Sequence, residues 1–438
     1  MMKTKIKLTL QIRHDQEGTY FTLPFDIPEG IGSLSLQYDY ERYGHNRIPG
    51  GNGAFISEPE INIIDLGLIA PDGKQVGASG SDKKEFIISE VYATPGYLPT
   101  KLLPGEWKIL VGAYKVAEPG CKVQYSIDLK KKKQVILKGD LHTHTLASDG
   151  VHTLSEMGYK ALRSGLQFLA ITDHNQMVSK ASFPELPGLT FIPGIEWTHY
   201  QGHANFLGVD QPYDEPFATN TTEEAIARFA SAHQRGAVIT INHPFDETCG
   251  FKFDLTQLPF DCIEIWNGPM RESNLRAVGL WHHLLVSGKR ISMCGGSDYH
   301  RDTPFFFLGG PTTTVKAWSS SPDDILAAIR TGVSYLTFAP NGPELEFSAG
   351  DVQFGGAVSW KEEKEIRVKG QGLLAGDLIR VVTNTTAETV LQASSRGSFD
   401  LSYGLKSPGF ARIEILRAFL PGLPLLPALL SNPIWFDE

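Results

Sequence analysis

The chain has 438 residues, 41% hydrophobic and 20% charged, with a formal net charge of −9; this length predicts two or three domains, each able to bury a core, and an acidic balance without long basic tracts argues against a general nucleic-acid surface. Four widely spaced cysteines with no C-x-x-C suggest neither a disulfide framework nor a thiolate zinc site, so buried, reduced thiols are expected. No apolar stretch reaches ~18 residues, and the opening residues alternate polar and apolar, so neither a membrane span nor an export signal is predicted and the expected location is the cytoplasm.

Residues 1–133 contain short alternating runs (KIKLTLQI, GSLSLQYDY, INIIDLGLI, EWKILVGAY) separated by turn signals such as APDG, LPGE and EPGC. This pattern predicts an all-β sandwich. Gly44, Gly50, Gly51 and Gly53 make residues 41–53 a surface loop, because they lack the spacing and following helix of a phosphate cradle. Lys130 to Lys133 reads as a solvated linker.

From residue 134 to 340 apolar runs alternate with helical patterns, which predicts an α/β domain around a parallel sheet. VILKGDLH, FLAITDH, TFIPGIEW, HANFLGV, AVITINH, CIEIWNG and ISMCGGSD are seven strand candidates, enough for a barrel. Thr153 with Glu156 three residues on forms a capping box, and Ser321 and Gly332 bound a later helix. Residues 341–438 return to β texture (PELEFSAG, EIRVKG, LIRVVTN, RIEILRAF), predicting a C-terminal β-sandwich-like domain. The closing Pro- and Leu-rich stretch is expected to pack as an apolar strap across a domain interface.

Nine potential metal donors follow these apolar runs. DLHTHTLASDG supplies His142 and His144, which point the same way on extended chain, and then Asp149. AITDHN supplies His174, IPGIEW Glu196, GHANFLG His203, ITINHP His243, and GGSDYH both Asp298 and His300. Any one histidine alone reads better as structural, since H-x-H pairs also occur on exposed strands. Nine donors at successive strand ends, which in a parallel barrel converge on one face, point to a polynuclear metal site and hence to hydrolysis. Glu196 is the candidate bridge, because a carboxylate has two oxygens to share between cations.

The motifs HTHTLASDG, TDHN, GIE, NHP and GGSDYH resemble those of the polymerase and histidinol phosphatase (PHP) superfamily. The flanking β regions, EIWNG and SNPIWF resemble the CehA/McbA group within it, named after carbaryl hydrolases. The resemblance implies a distorted (β/α)7 barrel with two or three divalent ions. His142, His144, Glu196 and Asp298 would hold the first, Glu196, His203 and His243 the second, and Asp149, His174 and His300 the third.

The chemistry so implied is hydrolysis by a hydroxide bridging two cations, with imidazole and carboxylate donors suiting Mn, Fe or Zn. A phosphomonoester or phosphodiester is the expected substrate, a small anionic ester. The alternatives are a carbamate, ester or amide, or a non-catalytic scaffold stabilised by metal. Glu196, Asp298 and His243 would carry catalysis through the ions. Asp173 would either orient a ligand histidine or cap its own loop. Asn267 and Arg301 are the candidates to contact substrate or leaving group, while His282 and His283, on a helix, read as structural.

Overall fold

The computed structural model describes residues 3–44, 59–90 and 92–438; of the expected loop 41–53, residues 45–53 lie outside them. The chain forms two compact units, Met1–Lys133 and Gln134–Glu438. It is a mixed α/β protein, largely sheet.

The first unit pairs two four-stranded antiparallel sheets. One runs Lys3–Ile12, Cys121–Lys131, Ile31–Asp39, Glu85–Ser89, and the other Thr19–Ile27, Gly105–Lys115, Ile63–Ile69, Gln75–Ser79. Strict alternation drives this arrangement: Cys121, Val123, Tyr125, Ile127 and Leu129 are buried while their neighbours face outward. They join Leu34, Leu36, Leu66, Trp107 and Ile109 in one core. Lys130 and Lys131 end a strand and the Lys132 N–H donates to the Gly30 carbonyl at 2.7 Å, so this cluster belongs to the sheet instead of forming a linker.

In the second unit the seven strand candidates lie side by side in chain order: Val135–Asp140, Phe168–Ile171, Thr190–His199, Gly202–Leu207, Val238–Ile241, Cys262–Asn267 and Ser292–Gly296. The expected distorted (β/α)7 barrel is not shown, because the sheet does not close, for two reasons. Thr190–His199 and Gly202–Leu207 are joined by a hairpin with no helix between them, so both pairings of Gly202–Leu207 are antiparallel. The open edge of Val135–Asp140 is taken by the antiparallel strand Thr312–Ala317, and the path runs on instead of returning to Ser292–Gly296. The Thr313 hydroxyl reaches the Gly295 carbonyl at 2.8 Å, a side-chain link where a closed barrel would have a ladder.

Four helices, Leu154–Arg163, Thr222–Gln234, Glu272–Val286 and Pro322–Arg330, belong to this unit. The first starts at a capping box between Thr153 and Glu156, and the last is capped by Ser321 and followed by Gly332 at φ +74°. The long sheet continues through Ser334–Thr337, Leu426–Ser431, Gly409–Arg417, Leu378–Thr383 and Ala387–Gln392. A separate four-stranded sheet holds Val352–Gln353, Glu344–Ala349, Glu365–Leu373 and Gly397–Gly404. The closing apolar stretch is therefore no strap: Leu426–Ser431 is an interior strand with Ala428, Leu429 and Leu430 fully buried. No helix among the described residues is long and apolar enough to cross a membrane.

Candidate metal centre

Each donor segment leaves its strand where apolar burial ends. His142 and His144 follow Val135–Asp140, His174 follows Phe168–Ile171, His243 follows Val238–Ile241, and Asp298 and His300 follow Ser292–Gly296; Glu196 and His203 lie within the hairpin strands. The segments approach so closely that side chains between them are excluded. A Cβ on Gly296 would lie 2.4 Å from that of His142, and one on Gly150 would lie 2.4 Å from the His144 carbonyl oxygen.

Glu196 lies at the centre and is fully buried. Its Oε1 is 3.3 Å from His142 Nε2, 3.1 Å from His203 Nδ1 and 3.2 Å from His243 Nε2, while Oε2 is 2.7 Å from His174 Nδ1. Asp298 Oδ1 lies 3.0 Å from His144 Nε2 and 3.4 Å from His142 Nε2. Asp149 Oδ1 lies 3.2 Å from His300 Nε2 and 3.6 Å from His174 Nε2. The nine donors, together with Cys249, thus form overlapping groups whose ligating atoms lie within 4.8 Å of one another, with His142, His144, His174, Glu196, His203 and His243 each in two. Exposure is graded across them: His142 and His144 side chains are 0% exposed, His174 and His300 27% and 25%, and Asp149 58%.

The ring nitrogens facing away from the cluster are mostly tied down, which fixes the opposite nitrogen as the donor. His142 Nδ1 is 2.9 Å from Glu264 Oε1, and His300 Nδ1 donates to the Asp298 carbonyl at 2.8 Å. His174 Nδ1, which faces Glu196 instead, is also 2.7 Å from the Thr198 hydroxyl. Asn242 donates to Glu196 Oε1 at 2.9 Å and to Asn205 Oδ1 at 2.9 Å. His243 Nδ1 faces the Cys249 thiol at 3.6 Å, so Cys249 is half-buried beside the cluster, unlike buried Cys121, Cys262 and Cys294.

Of the two roles open to Asp173, the structure shows the loop role. Its carboxylate accepts from Thr145 N–H, Thr145 Oγ1 and Ser148 Oγ at 2.7–2.8 Å, holding the loop that carries Asp149, and it touches no imidazole. Asn267 is 1% exposed and donates to Asp298 Oδ2 at 3.3 Å, so it steadies a donor and is too buried to meet substrate. Arg301 is exposed at the rim, with Nη2 3.4 Å from the Asp149 carbonyl. Arg271 is also at the rim, its Nη2 3.1 Å from Asn267 Oδ1. Trp197 and Trp266 are core residues, whereas Phe305 is exposed. His282 packs edge-on against Phe410, away from the cluster. Sequence reasoning missed Glu264, Asn242, Asn205 and Thr198 as supports.

The electrostatics match cation binding. Burial alone would raise the Glu196 and Asp298 carboxyls, but neighbouring imidazoles, His142 foremost, hold both well below the usual carboxylate range. Burial likewise opposes charge on His142, yet Asp298, Glu264 and Glu196 hold it well above its ordinary value. Two buried atoms, His142 Nε2 and His144 Nδ1, make no hydrogen bond, and buried polar atoms are normally satisfied. Asn175, His243 and Asp298 have φ of 50°, 25° and 51°, the left-handed region that costs side-chain-bearing residues about 1–3 kcal/mol each. Unpaired buried donors converging on strained backbone fit divalent cations.

No family model matches the chain. A 69-residue stretch is 36% identical to the DNA polymerase/3'-5' exonuclease PolX of Bacillus subtilis, covering 16% of this chain and 12% of that protein. A 100-residue stretch is 34% identical to the 5'-3' exoribonuclease Rnm of Salmonella typhimurium, covering 20% of this chain and 34% of that protein. The chain therefore spans about an eighth and about a third of the lengths of these curated relatives. Among solved structures, a two-domain protein of Bacteroides vulgatus, described as containing a predicted PHP-like metal-dependent phosphoesterase, aligns with a TM-score of 0.41 at 18% identity. That alignment covers 70% of this chain and 96% of the other.

Proposed function

We propose that the protein is a metal-dependent hydrolase of the PHP superfamily, in its CehA/McbA group, acting on a small anionic phosphoester. The observation that carries this reading is the buried Glu196 carboxylate, ringed by four imidazole nitrogens at 2.7–3.3 Å, with His144, His300, Asp298 and Asp149 completing the nine-donor set. Two short-stretch relatives named as exonucleases agree with phosphoester chemistry.

Bound divalent cations, Mn, Fe or Zn, would supply an activated water at neutral pH and positive charge for the developing oxyanion. The protein's own part is positional. His142 Nδ1–H, held by Glu264, and His300 Nδ1–H, held by the Asp298 carbonyl, present their Nε2 lone pairs to the cluster. Asn242 fixes the Glu196 carboxylate from behind. The donor side chains are most exposed at Asp149, His174 and His300, with Asp298 also 24% exposed. Arg301, beside Asp149, and Arg271, beside Asn267 and Asp246, are the cations that would receive the substrate anion.

The test compares a nitrophenyl phosphomonoester, a bis-nitrophenyl phosphodiester and an aryl carbamate with one Mn²⁺-loaded preparation, using the chelated protein and Asp298→Ala as controls. Phosphoester hydrolysis lost in both controls is the expected result. Preference for the carbamate would transfer the protein to the carbaryl-hydrolase chemistry, and no hydrolysis by a cation-loaded protein would favour a metal-stabilised scaffold.

A further inference from the structure

Glu264 is the third residue of Cys262–Asn267 and is 2% exposed. It belongs to none of the groups of converging donors. A buried carboxylate is costly unless each oxygen is matched, and here both are. Oε1 is 2.9 Å from His142 Nδ1. Oε2 accepts from the His243 backbone N–H at 3.0 Å and from Asn267 Nδ2 at 3.2 Å. The same Asn267 amide is 3.3 Å from Asp298 Oδ2.

One side chain therefore touches three donor segments that are far apart in sequence. It fixes the ring orientation of His142. It holds the backbone of His243 at φ +25°, a conformation that needs such support. Through Asn267 it reaches Asp298, the other donor with positive φ. It has no contact with Asp149, His174 or His300, which are joined to one another at the exposed side.

We propose that Glu264 is a positioning residue that shapes the two buried cation positions together and leaves the exposed one alone. This rests on reading the donor cluster as a metal centre. A carboxylate that served only the fold would affect all positions alike. A carboxylate acting through His142, His243 and Asp298 would weaken only the positions those residues serve.

The experiment is calorimetric Mn²⁺ titration of the full chain after chelation, comparing wild type with Glu264→Gln, Glu264→Ala and, as the mirror case, Asp149→Ala. Partners of this kind typically change metal affinity by about 10–100-fold. Glu264→Ala is expected to weaken two sites by that factor while the third keeps its wild-type affinity. Glu264→Gln should lose less, since its amide oxygen can still accept from His142 while its NH₂ cannot accept from His243. Asp149→Ala should give the reverse pattern. Wild-type affinities in Glu264→Ala, or equal weakening at every site with a lowered melting temperature of the chelated protein, would overturn the proposal. If Glu264→Ala does not fold, Glu264→Gln decides by the same pattern. Because the readout is binding, a wild type that takes up Mn²⁺ but cleaves no ester defeats the hydrolase reading and leaves this comparison decisive.

Discussion

The Asp140 carboxylate accepts from the Ser297 backbone N–H at 2.9 Å and from the Ser297 hydroxyl at 2.5 Å, tying together two strand ends 157 residues apart. It also accepts from Gly309 N–H at 2.8 Å and His142 N–H at 3.2 Å, and burial pushes its pKa up to about 6. This clamp lies where the sheet path fails to close, next to His142 on one side and Asp298 on the other. Asp140→Ala would leave several buried N–H groups unpaired and should destabilise the protein by about 3 kcal/mol. Urea unfolding of the chelated protein measures this, and a loss under ~1 kcal/mol would show that the clamp is dispensable.

Asn242 lies between Glu196 and Asn205 and is fully buried. Asn242→Ala removes the donor that sets the Glu196 carboxylate, so Mn²⁺ affinity should fall by about tenfold or more. Asn242→Asp should do worse, placing a second buried carboxylate against the first. Equilibrium dialysis with metal analysis separates these outcomes, and an Asp variant equal to wild type would refute the role.

Cys249 is the one half-buried thiol among four, with its Sγ 3.6 Å from His243 Nδ1 and 3.4 Å from Asp246 Oδ1. Native protein should give one equivalent of fast-reacting thiol with an aromatic disulfide reagent, and Cys249→Ser should give none. The modified protein should bind Mn²⁺ about tenfold more weakly, because a bulky adduct would displace the His243 ring. Fast reaction of several thiols, or unchanged Mn²⁺ binding after modification, would contradict this.

Arg271 is positioned by Asp246 Oδ2 at 3.3 Å and by Asn267 Oδ1. If it receives the substrate anion, Arg271→Ala should raise KM for a phosphoester about tenfold, ~1.4 kcal/mol, with kcat little changed. An uncharged carbamate should show no such shift. Steady-state kinetics on both substrates decide the point, and equal effects on the two would remove Arg271 from substrate recognition.

The nine residues that converge in space stood out in the sequence because each one interrupts or ends an apolar run, where an ionisable side chain has few structural explanations. Their supports did not. Glu264 and Asn205 are single polar residues inside strands and Asn242 directly follows one, and only the assembled sheet brings Glu264 to His142, Asn242 to Glu196 and Asn205 to Asn242. Strand order could be read from the alternation of apolar runs with helices, but the open path could not, since it depends on Thr312–Ala317 pairing backwards with Val135–Asp140. The hairpin was visible in principle: only Tyr200 and Gln201 separate the two strands, too few for a helical crossover. The C-terminal apolar stretch misled for a related reason. Its prolines suggested a strap, yet Pro427 lies at a register shift opposite Leu416, where a strand can tolerate the missing N–H.

The graded exposure of the donors also sets a clock. A cation held by fully buried His142, His144 and Glu196 would exchange slowly, past the partly exposed Asp298 or by local opening, whereas one at Asp149, His174 and His300 would trade directly with the solution. The inner ions would therefore record the metals present when the chain folded, while the outer position would follow whatever the surroundings offer at the moment of turnover.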